Sequence, residues 1–137
     1  MKKFNIEVIS KKSEKIDGVL SHTGKITIGD LQENFVMPLN YWTIDTYQQQ
    51  WKDAIQRIKT HDYSCFVVSV RDWDGDLEIE IWSMYKEGDM VFFHNEFLDA
   101  EDSNFNLKTC YNFGDSLEQE KEDRDKVSTW SLNIKDI

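Results

Sequence analysis

The chain has 137 residues, 39% of them hydrophobic and 13% aromatic, enough apolar material for one domain spanning 1–137 around a single core. A net charge of −10 argues against nucleic acid as a partner and favours basic proteins. No stretch reaches the run of about 18 apolar residues that a membrane helix needs. The opening "MKKFNIEVIS" has no apolar run after its lysines, so a cytoplasmic protein without membrane insertion is expected.

The charge is unevenly placed. Residues 1–28 carry six Lys against three acids, so the remainder is more acidic than the whole. In chain order, "FNIEVIS" alternates with Phe4, Ile6 and Val8 on one face and reads as a strand. "KIDGVLSH" and "GKITIG" read as two more strands, with "HTG" (His22 to Gly24) as the hairpin turn between them. "ENFVMPL" is extended and ends at Pro38.

A helix over about 43–61 follows. Ile44, Tyr47, Trp51, Ala54, Ile55 and Ile58 form one stripe at a period of 3.6. Thr43 suits the N-cap and Asp45 the first turn, while Gln48, Lys52, Gln56 and Lys59 make a polar side. "YSCFVVSVR", "LEIEIWSMYK" and "MVFFHNEFL" then read as an antiparallel meander joined by "DWDG" and "EGD". Residues 99–126 are polar with one candidate strand at "LKTCYNF", and "STWSLNI" reads as the last strand. The pattern predicts an α+β fold: a mostly antiparallel sheet of about 5–7 strands with one main amphipathic helix packed on one face.

"RDWDGDLEIE" (Arg71 to Glu80) is the most charged stretch of the meander. Read as a calcium loop starting at Asp72, it puts Gly75 at position 4, Leu77 at position 6 and Ser83 at position 12. An EF-hand requires glycine at 6 and a bidentate Glu at 12, so the spacing fails. Read as a hairpin, Asp74-Gly75 is a favoured two-residue turn. Leu77, Ile79 and Ile81 then point one way, and Asp76, Glu78 and Glu80 the other. Same-face neighbours on a strand lie about 7 Å apart, so these acids make a negative ridge with Asp72 and Asp74 at its tip. Such a ridge is either an ordinary solvated face or a contact surface for a basic partner. Further acids lie in "EFLDAED", with Asp99, Glu101 and Asp102, and in "DSLEQEKEDRDK", which reads as a mobile loop or a solvated helical turn.

The sequence shows no enzyme signature. His22, His61 and His94 share no ligand spacing, and neither a Cys-x-x-Cys nor a Gly-rich phosphate loop occurs. Cys65 and Cys110 read as reduced thiols, with Cys65 in the core. No metal or cofactor is expected. A hydrolase would show itself as a pocket holding His94 or His61 beside a carboxylate, and a regulatory adaptor is a third possibility.

Three motifs carry a resemblance: Tyr47-x3-Trp51-x3-Ile55-x2-Ile58, Trp82-Ser83-Met84-Tyr85-Lys86-Glu87-Gly88-Asp89, and Val127-Ser128-Thr129-Trp130. In this order they resemble the immunity proteins of bacterial contact-dependent growth inhibition, over about residues 41–134. That family often has an acid where this chain has Thr129. The resemblance implies a small cytoplasmic, non-enzymatic protein that binds the C-terminal domain of a cognate toxin, commonly a basic nuclease, and blocks it. It also implies that Tyr47, Trp51, Trp82, Tyr85 and Trp130 mark the fold. Asp72, Trp73, Asp74, Asp76, Glu78, Glu80, Asp99, Glu101 and Asp102 are the candidate toxin contacts.

Overall fold

The computed structural model describes residues 3–137. Eight strands divide into two four-stranded antiparallel sheets rather than lying in one. In the first, β3 (Val19–Ile28) is central, with β1 (Phe4–Val8) and the short β2 (Glu14–Ile16) along one side and β4 (Leu31–Pro38) along the other. The second runs β5 (Tyr63–Trp73), β6 (Asp76–Glu87), β7 (Met90–Glu101), β8 (Trp130–Asn133), in that order.

The "HTG" segment is not a turn. His22 to Gly24 lie inside β3, and the hairpin turns earlier, at Asp17-Gly18, where both residues have positive φ. Gly24 is a packing glycine instead. It pairs with Phe35 across the strands, and a Cβ there would sit 2.2 Å from the Phe35 ring. The segment "LKTCYNF" is not a strand either. The Asn106 side chain accepts from the amides of Lys108 and Thr109 at 2.8 and 3.0 Å, which curls the chain into a 3-10 turn at Cys110–Phe113. Cys65 and Cys110 are both free and buried.

The two sheets share a core. Phe4 stacks on Phe66 and Phe93 of the second sheet, at 5.2 and 6.0 Å between ring centroids. Ile26, Ile28, Met37, Trp82 and Met84 are buried in the same cluster. Rings and branched side chains of this size contribute roughly 1.5–3 kcal/mol each when fully buried, so this contact holds the sheets together.

Helix α1 (Ile44–Ile58) is capped by Thr43, whose hydroxyl accepts from the Thr46 amide at 3.3 Å. Its buried stripe is Tyr47, Gln50, Trp51, Ala54 and Ile58. This stripe also closes the outer edge of β5. Gln50 donates to the Cys65 carbonyl at 2.7 Å and accepts from the Val67 amide at 2.8 Å. The Trp51 indole donates to the Val67 carbonyl at 2.9 Å, and the Tyr47 hydroxyl accepts from the Val70 amide at 2.9 Å. Asn40 continues the row, donating to the Asp72 carbonyl and accepting from the Asp72 amide. Side chains thus satisfy backbone groups that another strand would otherwise have to pair.

Candidate functional site

The register of the second sheet sorts its side chains. Cross-strand partners point to the same face. Trp73 opposes Asp76, and Arg71 opposes Glu78. Asp76 in turn opposes Glu101, Glu78 opposes Asp99, and Glu80 opposes Phe97. The far half of this face, with Phe66, Trp82 and Phe93, is covered by the first sheet. The half nearest the β5–β6 hairpin stays open, and its outer β7 side ends on Phe97, which is 73% exposed.

The acids of β6 and β7 therefore form a two-strand patch and not a single ridge. Asp76, Glu78, Asp99 and Glu101 are all exposed. Glu80 departs from the row: it is half-buried, and its carboxylate accepts from the Asn95 amide at 3.0 Å. Burial raises its pKa, the Asn95 hydrogen bond opposes that, and the nearby Glu33 carboxylate adds to the rise. Trp73 is 54% exposed and lies under the Arg71 guanidinium, 4.5 Å from the ring centroid. Arg71 also donates to the Asp17 carbonyl, tying the first sheet's hairpin to this face. Trp73, Asp76, Glu78, Asp99 and Glu101 help line a shallow groove of 410 Å³.

Hydrogen bonds brace the hairpin tip. Asp74 and Gly75 both have positive φ, as the tight turn requires. The Asp72 carboxylate accepts from the Gly75 amide at 2.7 Å, so Asp72 shapes the turn as well as charging it. Asp102 lies just beyond β7, where its amide donates to the Gly75 carbonyl at 2.9 Å. Tyr41 donates to the Asp102 carbonyl at 3.0 Å. The nine candidate residues thus lie towards one end of the second sheet but not on one face: Asp72 opposes the buried Leu77 and so points away from the side of Asp76 and Glu78. Among the described residues, no group of three or more His, Cys, Asp or Glu converges to hold a metal ion.

A second feature escaped the sequence. His94 and Glu120 are 6% and 4% exposed, and the His94 Nε2 lies 2.6 Å from the Glu120 carboxylate. The pair lines a cavity of 610 Å³ with Tyr85, Asn95, Glu96 and Trp130. Glu120 belongs to a short helix, α2 (Leu117–Asp123), within the stretch read as solvated. Arg124 binds Glu120 at 2.6 Å and Glu87 at 3.0 Å, and its guanidinium lies over the Phe92 ring. Burial opposes ionisation of Glu120, and the hydrogen bonds from Arg124 and His94 outweigh it, so its pKa is lowered. The His94 Nδ1 faces the Ser128 carbonyl at 3.2 Å. Both ring nitrogens of His94 are therefore engaged. The carboxylate beside it is held by an arginine, an arrangement suited to pinning α2 and the Ser128 segment onto β7. Only a polar, acidic composition marked this segment, and the partner of Glu120 is 26 residues away in sequence.

The model of the CdiI N-terminal domain family matches residues 37–137. A curated protein named "Immunity protein CdiI", from Enterobacter cloacae, is 25% identical over 133 residues, covering 94% of this chain and 92% of that protein. A solved structure described as a "CdiA-CT/CdiI toxin and immunity complex from Enterobacter cloacae" superposes with a TM-score of 0.65 at 20% identity, over 96% of this chain and 91% of that one. At that identity the likeness speaks for the fold.

Proposed function

We propose that this chain, which belongs to the CdiI N-terminal domain family, is an immunity protein that binds the C-terminal domain of a cognate contact-dependent growth inhibition toxin and neutralises it in the cytoplasm. The observation that carries this reading is the family match over residues 37–137, joined by a fold likeness that extends over nearly the whole chain.

The mode of action is occlusion. The outer end of the second sheet offers Asp74, Asp76, Glu78, Asp99, Glu101 and Asp102, with Trp73 and Phe97 as exposed apolar anchors. A toxin that cuts nucleic acid presents Lys and Arg where the phosphates bind, and this face is their electrostatic complement. Charge steers the encounter, and the rings slow release once desolvated. The chain acts stoichiometrically and not as an enzyme. His94 beside Glu120 in a cavity is the feature a hydrolase reading would require. Each of His94's nitrogens, however, already has a hydrogen-bond partner within the fold.

The test is co-expression with the C-terminal domain of the toxin encoded beside this chain. Growth should be rescued, and the two proteins should co-purify at one to one. Growth arrest with no complex would overturn the reading.

A further inference from the structure

The two edges of the second sheet are treated differently. The β5 edge is closed by Tyr47, Gln50, Trp51 and Asn40. The β7 edge is closed only in part. β8 pairs with Met90 to Phe93 and goes no further, while β7 runs on to Glu101. Backbone direction alternates along a strand. The Asp102 amide bonds back towards β6, at the Gly75 carbonyl, and the Asp89 carbonyl bonds outward to the Ile134 amide. Odd-numbered residues of β7 therefore aim their N–H and C=O groups away from β6. For Phe97, Asp99 and Glu101 these groups have no backbone or side-chain partner among the described residues.

From Asn95 to Glu101 this leaves an open edge of about 20 Å, at roughly 3.4 Å per residue, in line with β8. Natural sheets blunt such an edge with charge, and Asp99 and Glu101 do so here. A second copy of this chain pairing there would set acid against acid. A basic segment would meet Glu78, Asp99 and Glu101 on one side. At the β8 end it would reach the 610 Å³ cavity, whose walls include Glu33, Glu96 and Asp123 against one lysine, Lys126. Phe97, 73% exposed, offers the apolar contact.

We propose that the β7 edge from Asn95 to Glu101 receives an extended segment of the toxin, carrying Lys or Arg at alternate positions, as an added strand of the second sheet. This rests on the immunity reading and specifies its geometry. Main-chain hydrogen bonds hold the segment, and the alternating acids select its sequence.

The test is amide hydrogen exchange on the wild-type chain, free and in complex with the C-terminal domain of its toxin. In the complex, the amides of Phe97, Asp99 and Glu101 should slow at least tenfold. Exchange at the free-protein rate in a complex that does form would overturn the strand addition and leave the immunity reading standing. Failure of the wild-type chain to capture the toxin domain would overturn both. Slowing of these amides in the free protein that grows with its concentration would assign the edge to a second copy and also overturn the proposal. In a parallel arm, Asp99→Pro removes an outward N–H while sparing the β6 ladder. It should weaken capture at least tenfold more than Asp99→Ala does. Equal losses would show that the carboxylate alone matters and would overturn the added strand. If the proline variant does not fold, the exchange arm decides.

Discussion

The side chain of Gln50 takes the place of a strand beside Val67: its carboxamide oxygen accepts the Val67 amide at 2.8 Å while its nitrogen donates to the Cys65 carbonyl at 2.7 Å. Gln50→Leu keeps the bulk and removes both bonds. Two buried backbone groups would then be unpaired, at about 1–3 kcal/mol each. Urea unfolding should show a loss of roughly 2–6 kcal/mol. A loss under 1 kcal/mol would mean that water or a shifted helix replaces these bonds.

Charge reversal on the open face should separate stability from binding. Glu78 lies directly across from Asp99, and Asp76 from Glu101, so like charges face each other on neighbouring strands. Such pairs destabilise, and opposite pairs contribute about 0.2–1 kcal/mol. Replacing Asp76 by Lys should therefore hold or raise the unfolding midpoint, since its other cross-strand neighbour is the uncharged Trp73. The same variant should associate with the toxin domain more slowly, most visibly at low salt. Unchanged association at low salt would remove this face from the interface.

Gly24 is required by Phe35. Gly24→Ala would place a Cβ 2.2 Å from the ring, an overpacking change that costs about 1–3 kcal/mol. Adding Phe35→Leu should recover part of that loss in a double-mutant cycle. If the two losses simply add, the close approach is not the reason for the glycine.

Acid should loosen the segment that α2 anchors. Glu120 titrates below its ordinary value because Arg124 and His94 hold its ionised form against the cost of burial. A depressed carboxyl pKa contributes stability that is present above about pH 4.5 and is lost as pH falls through the folded-state value. Glu120→Gln should flatten the acid limb of a stability–pH curve and cost about 3 kcal/mol at neutral pH, since Arg124 loses a buried partner. An acid limb of unchanged slope would place the titration elsewhere.

The period of the residues made much of this fold legible. The stripe from Ile44 to Ile58 gave the helix, Thr43 its cap, and the strict alternation after Asp74-Gly75 gave the outward acids of β6. What stayed hidden depended on partners far along the chain. His22 to Gly24 looked like a turn because the reason for Gly24, the Phe35 ring, lies on another strand. Glu120 looked solvated because His94 is on β7. Glu80 follows the same alternation as Glu78, yet only the fold brings Asn95 and Glu33 beside it. The division into two sheets was equally out of reach, because strand periodicity says which face is apolar and not which apolar face meets it.

Along β6, neighbouring residues have separate duties. Leu77, Ile79 and Ile81 are buried, while Asp76 and Glu78 project into solvent between them. A substitution at one of the outward positions changes what an approaching molecule meets and leaves the interior undisturbed. A gene built this way can rewrite its exterior one codon at a time, keeping pace with an altered adversary without relearning how to fold.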